Sequence, residues 1–255
     1  MYYTLIPIYI TIFLFGIVIG SFLNVCIYRI PAGESIVTDR SHCMTCGYQL
    51  KWYDLIPILS WLVLRGRCRK CGEKISGQYP LIEAVNGILY VIIFYVMDLE
   101  LIPATLTCLL ASALVVLSVI DFRTYEIPLG INIFILVLGA LTVFTDSSDW
   151  SSHVIGFFAI SIVLELIQWI SKGRAIGGGD VKLMAAAGLF LGWKLIILAF
   201  FIACIAGAVI HVIRMKVSNV GKVLAMGPYL SLGILISALW GNQVWNWYMS
   251  ILMGY

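Results

Sequence analysis

Two aspartates and four cysteines are the side chains of this chain whose types and spacing can do chemistry. Asp121 lies in Ile120-Asp121-Phe122-Arg123-Thr124-Tyr125-Glu126-Ile127-Pro128, and Asp180 in Gly177-Gly178-Gly179-Asp180-Val181-Lys182-Leu183. Each marks the junction of a long apolar run and a short basic loop. A carboxylate at mid-bilayer costs about 2.5–3.5 kcal/mol on insertion scales, and less near the interface. Two of them retained on one face therefore point to joint work. An aspartyl site that activates water needs one carboxylate as base and a second, protonated carboxyl to polarise the scissile carbonyl. Such a pair titrates as a unit, because like charges at that distance cannot both form cheaply. Gly177, Gly178 and Gly179 strip side-chain bulk from the approach to Asp180, so that a substrate backbone can reach the carboxylate. Two other readings stay open: an ion pair with Arg123 or Lys182, and simple helix capping by Asp180.

The cysteines form two Cys-x-x-Cys pairs, Cys43/Cys46 and Cys68/Cys71, within the repeated pattern Cys-Met-Thr-Cys-Gly-Tyr-Gln-Leu and Cys-Arg-Lys-Cys-Gly-Glu-Lys-Ile. A glycine follows each second cysteine (Gly47, Gly72) and lets the chain turn tightly enough for the thiolates to converge. Four thiolates suit tetrahedral zinc, and the spacing is that of two-knuckle sites. The alternatives are a pair of disulfides or redox cysteines, and a reducing cytoplasm disfavours structural disulfides. Arg67, Arg69 and Lys70 offset the charge of four thiolates. Cys26, Cys108 and Cys204 lie inside apolar runs and read as small core residues.

The elements that hold these residues are membrane helices. Of 255 residues, 62% are hydrophobic and 11% charged, against roughly 25% charged in soluble domains; the mean hydropathy is +1.02. Apolar runs cover 5–28, 80–97, 101–120, 127–145, 152–171, 181–192, 194–213 and 224–241, followed by an aromatic tail, 243–255. The fold class expected is an all-α polytopic membrane protein, a bundle of about eight transmembrane helices. The first run has no basic n-region or small-residue cleavage site and reads as a retained span. The sixth is only about two-thirds of a span, a half-helix that protein or water must surround. With the amino terminus outside, all but Lys194 of the 16 Lys and Arg residues fall on one face, which the positive-inside rule makes cytoplasmic. Lys222 is among them, whereas Asp98, Glu100, Asp146 and Asp149 fall outside. Asp121, Asp180 and the four-cysteine loop share the basic face. Three parts follow: residues 1–28 as a first span, 29–79 as a small metal-stapled cytoplasmic loop domain, and 80–255 as the remaining bundle.

There is no His-Glu-x-x-His helix for a zinc peptidase. His42, His153 and His211 are scattered, with no serine motif to join them. The remaining motifs make the chain resemble the type IV prepilin peptidases, membrane aspartyl proteases of the Gly-x-Gly-Asp class. The resemblance runs through Gly20-Ser21-Phe22-Leu23-Asn24-Val25-Cys26-Ile27-Tyr28-Arg29-Ile30-Pro31, the cysteine quartet, and Ile75-Ser76-Gly77-Gln78-Tyr79-Pro80-Leu81-Ile82-Glu83. It continues through Asp121 with Ile127-Pro128, then Gly177 to Leu183, and ends at Met226-Gly227-Pro228-Tyr229-Leu230. A lone Gly-x-Gly-Asp is weak; six ordered blocks are specific.

The resemblance implies that Asp121 and Asp180 are a catalytic dyad cutting basic leaders from prepilins and pseudopilins at the cytoplasmic face of a bacterial inner membrane. It also implies N-methylation of the new amino terminus with S-adenosylmethionine, associated with the cysteine loop. Partners are then those substrates and the lipid bilayer, with no nucleic acid. Met44 stands where a proline is common and Gln78 where an arginine is common, both in or beside the segment tied to methylation. Glu83, a turn into the second span, is a candidate contact for the basic leader or the substrate amine; the competing reading pairs it with Arg29 or Lys74. Gly177, Gly179 and Lys182 are further substrate-side candidates, and Asn24 and Gly227-Pro228 read as structural. A peptidase without methyl transfer differs only in the loop's role. A transporter whose aspartates carry ions also accommodates an interrupted sixth segment, but it calls for an internal pseudo-symmetry that the sequence does not show.

Overall fold

The computed structural model describes residues 2–145, 149–174, 176–217 and 224–253; Asp146 and Lys222 lie outside them. Among the described residues the regular structure is helical, without a strand, and a loop joins the first helix to the third. The helices are α1 (Tyr2–Ala32), α2 (Leu59–Val63), α3 (Gln78–Val96), α4 (Leu101–Thr124), α5 (Leu129–Thr145), α6 (Trp150–Ala159), α7 (Ser161–Ile170), α8 (Gly178–Leu191), α9 (Trp193–Val217) and α10 (Gly227–Met253). Among the described residues, five stretches are long and apolar enough to cross a membrane: Leu5–Ala32, Gln78–Val96, Leu101–Thr124, Trp150–Ile170 and Trp193–Lys216, with α5 a shorter apolar helix. The chain is an integral membrane protein of the all-α class.

Three boundaries differ from the sequence pattern. The first helix runs on through Pro31 to Ala32 and ends at Gly33, whose φ of +68° no α-helix continues. The fifth run divides at Ile160 into α6 and α7. There the Ser161 hydroxyl donates back to the Phe157 carbonyl, a local competition that bends helices. The aromatic tail is not separate: with no proline after Pro228, α10 continues through it to Met253.

Two compact units emerge, Met1–Ala104 and Thr105–Tyr255. In the first, α1 packs along α3 at unusually close range. A Cβ added at Gly16 would sit 2.7 Å from the Gly87 Cα, and one at Gly20 would sit 2.7 Å from the Glu83 Cα. Small residues four apart let helix backbones meet in this way in membranes. Asn86 uses the closeness, donating from Nδ2 to the Gly16 carbonyl at 2.8 Å.

In the second unit the short helix α8 packs against α5, α6, α7, α9 and α10. Its Leu183, Met184, Ala187 and Gly188 are buried. Gly156 of α6 and Gly188 of α8 leave no room for a side chain between their backbones. His153 of α6 donates from Nδ1 to the Leu189 carbonyl at 2.9 Å, one of the acceptors that the end of α8 leaves without a helical partner. The close α1–α3 contact carries a prediction. Gly20→Ile should lower thermal stability in detergent by about 1–3 kcal/mol through overpacking, and an unchanged melting curve would show that the backbones do not touch there.

Candidate active site and metal centre

The cysteine loop folds as its internal repeat suggests. In the first knuckle the Gly47 N–H donates to the Cys43 carbonyl and the Cys43 N–H to Tyr48; in the second, Gly72 donates to Cys68 and Cys68 to Glu73. Gly47 (φ +67°) and Gly72 (φ +74°) occupy the left-handed conformation that each turn requires. One bridge closes each knuckle, His42 with Gln49 and Arg67 with Lys74.

The four sulfur atoms lie within 4.8 Å of one another, with Cys43–Cys71 at 3.8 Å and Cys46–Cys68 at 4.0 Å. A disulfide needs about 2.05 Å. A tetrahedron with metal–sulfur bonds of about 2.3 Å has edges of about 3.8 Å, so the donor set fits a bound ion. Backbone N–H groups of Cys46 and Thr45 hold the Cys43 thiol down to about 6. At Cys71 a Glu73 N–H acts in the same direction, but burial and the three neighbouring thiols outweigh it and push the group up to about 12. The cluster thus gives up a proton readily and resists becoming fully ionised without a cation to balance it.

Asp54, to which the sequence drew no attention, organises this loop. It is buried, and its Oδ1 takes the Arg69 Nε–H at 2.8 Å. Oδ2 accepts from the Tyr48 hydroxyl at 3.3 Å and the Lys51 N–H at 3.2 Å. One carboxylate therefore joins a residue of each knuckle to the segment between them. Arg69 also lies over the Tyr53 ring at 4.9 Å. The only sequence signal was an acidic residue in a loop of basic ones.

Glu83 is buried on α3 and accepts the Ile58 N–H at 2.7 Å. It ties the start of α2 to the first unit's helix pair. Arg29 instead spans the Ser35 and Asp39 carbonyls at 3.0 and 2.9 Å. Asn24 donates to the Gly20 and Tyr79 carbonyls.

The second unit holds both aspartates. Asp121 lies in the last turn of α4, 5% exposed, and its Oδ2 accepts the Gly227 N–H at 2.8 Å. Asp180 lies in the first turn of α8, whose N-cap is Gly177. Gly177 lies against its carboxylate, where an added Cβ would sit 3.3 Å from Oδ2, and the carboxylates of Asp180 and Asp121 are near enough for their charges to act on each other. Asp180 thus stands at the position from which a capping-box carboxylate reaches back toward the N-cap, beside Asp121. Two contacts clamp the glycine turn in place. A Cβ at Gly179 would sit 2.8 Å from the Ile127 Cβ, and Asn132 of α5 donates to the Gly179 carbonyl at 3.3 Å. The space bared at Gly179 is filled by Ile127, while Gly177 is exposed. Lys182 is exposed and lines a crevice of about 160 Å³ with Leu129, Asn132 and Phe157. The segments around Asp121, Ile127, Gly177–Asp180 and Gly227 thus meet in one place. Asn132 and the Gly227 N–H were missed, because a polar residue in an apolar run and a backbone donor carry no sequence spacing.

The chain is similar to known proteins over most of its length. Residues 14–97 match the model of the bacterial Peptidase A24 N-terminal domain, and residues 108–212 that of the type IV leader peptidase family. A Bacillus subtilis protein named prepilin leader peptidase/N-methyltransferase is 34% identical over 95% of this chain and 98% of its own length. A protein of the same name from Aeromonas salmonicida is 31% identical over 95% and 94%. Another, from Myxococcus xanthus, is 36% identical over 80% of this chain, which spans 62% of that relative. No solved structure matches. The metal centre is directly testable. Cys68→Ser should lower the metal content of purified protein, measured by inductively coupled plasma mass spectrometry, and expose the loop to protease. Equal metal in the variant and the parent would dismiss the site.

Proposed function

Because the chain belongs to the type IV leader peptidase family, we propose that it removes the basic leader of prepilins and pseudopilins at the cytoplasmic face and then N-methylates the new terminus. The observation that carries the first activity is the meeting of Asp121, Asp180 and the Gly177–Gly179 turn in one unit. A bilayer-embedded substrate with a charged leader presents its junction at the interface, where a carboxylate costs least. Every Lys and Arg but Lys194 falls on the same side as the pair when the amino terminus is outside, which supports a cytoplasmic site.

In the reaction, one ionised carboxylate takes a proton from water as the water oxygen bonds to the scissile carbonyl carbon. The other, protonated, gives its proton to the carbonyl oxygen. The tetrahedral intermediate then re-forms its C=O bond as one of its two hydroxyls returns a proton to the carboxylate that had given one, and C–N breaks as the leaving nitrogen takes the proton held by the base. Gly177, with its exposed open edge, and Lys182, at the crevice beside the turn, are the substrate-side groups of this reading. Glu83 sits on another unit and accepts a loop N–H, which supports a role in holding that loop.

The ion of the four-cysteine site is zinc: it prefers four thiolates in a tetrahedron, and such a site contributes folding energy outright. The second activity is carried by the names of the relatives, each a leader peptidase/N-methyltransferase. Its methyl donor is S-adenosylmethionine, and the loop of residues 29–79 is the part we assign to it. No individual side chain is assigned to the donor.

Asp121→Asn and Asp180→Asn should each lower cleavage of a prepilin by about 100-fold or more, read by gel shift of the processed product, with the helical circular dichroism unchanged. A variant that trims prepilin at the parent rate overturns the dyad. Mass spectrometry of the product formed with S-adenosylmethionine present should show a terminus heavier by one methyl group. An unmodified terminus favours a peptidase alone.

A further inference from the structure

Helix α10 begins without a cap of its own. The residues at its start are Leu224, Ala225, Met226, Gly227 and Pro228, none with a side chain that accepts a hydrogen bond from the first turn. Met226 occupies the N-cap position, since its carbonyl accepts from Tyr229 and Leu230. Pro228 has no N–H to satisfy, which suits the first turn. The Gly227 N–H is left, pointing out of a helix that runs to Met253. It donates to Asp121 Oδ2 at 2.8 Å, across 106 residues of sequence. The carboxylate satisfies, from another helix, one of the first-turn donors that the helix itself cannot use. Gly227 also must be bare: an added Cβ would sit 2.7 Å from Asp121 Oδ2 and 2.9 Å from its Cγ.

We infer that Asp121 caps α10 from outside that helix, and that Gly227 is a positioning residue for cleavage because its N–H and missing side chain fix the orientation of the Asp121 carboxylate. One oxygen is committed to the helix start, so the other is the one left for water or for Asp180. The positive end of α10 also favours charge on the carboxylate it holds. Neither Asp121 nor Gly227 can then be replaced without disturbing the other. The catalytic half of this inference rests on the peptidase reading above; the capping half does not.

The test combines kinetics with melting. In Gly227→Ala, the added carbon must displace the carboxylate, and a displacement of this kind costs about 100-fold in rate. The expected result is that fall in kcat for a prepilin peptide with KM little changed. Gly130→Ala, where a Cβ meets nothing within 4 Å, should leave both constants as in the parent. A parent-like kcat in Gly227→Ala, or a change in KM alone, overturns the positioning role. Asp121→Asn keeps an oxygen acceptor for the Gly227 N–H, whereas Asp121→Ala does not. Asp121→Asn should therefore melt with the parent and Asp121→Ala about 2–4 °C lower. Equal melting of the two overturns the cap, and this comparison decides the matter if Gly227→Ala fails to fold. If the parent protein does not cut the peptide, the proposed activity and the positioning role both fall, while the melting pair still reads the cap.

Discussion

A 14-residue helix cannot cross a bilayer, and α8 is such a helix. At 1.5 Å per residue it covers about 21 Å of a hydrocarbon core about 30 Å thick. Its ends expose backbone groups that lipid cannot satisfy, so it is stable only inside protein. The second unit is built around that requirement. Five helices pack on α8, glycines at 139, 156 and 188 let backbones approach it, and His153 takes the carbonyl of Leu189 near its end. Enclosure in turn sets what the first turn of α8 can do. A carboxylate there has protein around it, N–H donors near it, and an opening only where the surrounding side chains stop.

The same economy of backbone donors governs both aspartates. The Asp121 carboxylate accepts an N–H from the first residue of α10, and the Asp180 carboxylate lies against Gly177, the N-cap of its own helix. Helix starts carry donors that the helix cannot use itself, and these substitute for the water that a buried carboxylate gives up. Two negative charges placed together remain expensive. On the proposed reading the pair shares a proton, which lets one group act as base while its neighbour acts as acid. Ile127 and Asn132 belong to this arrangement although neither reacts, because they fix the turn whose last residue is Asp180.

Much of this was legible in the residues themselves. The apolar runs gave the helices and the shortness of the sixth. The Cys-x-x-Cys repeat gave two like knuckles, since spacing and a following glycine determine how a tight turn presents two thiols. Segments that share a motif with a known family gave the aspartates. The rest was not legible, for reasons that can be named. Asp54 sits in a loop with no periodicity, and its three partners come from separate turns. The division of the fifth run at Ile160 depends on a hydroxyl turning back on its own helix, a choice that composition does not record. The Gly227 N–H is main chain. Gly179 looked like an opening for substrate but is bare because Ile127 packs there, and only coordinates distinguish space left for a ligand from space taken by a neighbour.

The loop between α1 and α3 solves a different problem with similar means. About fifty residues in water cannot bury enough apolar surface to hold a shape. Here four converging thiols, a donor set that fits an ion, and one buried carboxylate that joins both knuckles stand where a core would otherwise be. On the proposed reading the two parts act on one substrate in a fixed order, because methyl transfer to nitrogen needs a free amine and cleavage is what creates it. Cleavage gives that nitrogen the one proton held by the base, so the new terminus is a neutral amine with its lone pair free. Attack on the methyl group then makes an ammonium that must lose a proton, and water accepts it far more readily than a lipid-facing helix bundle does. On the proposed reading, a methylating station in the loop rather than among the membrane helices suits that loss.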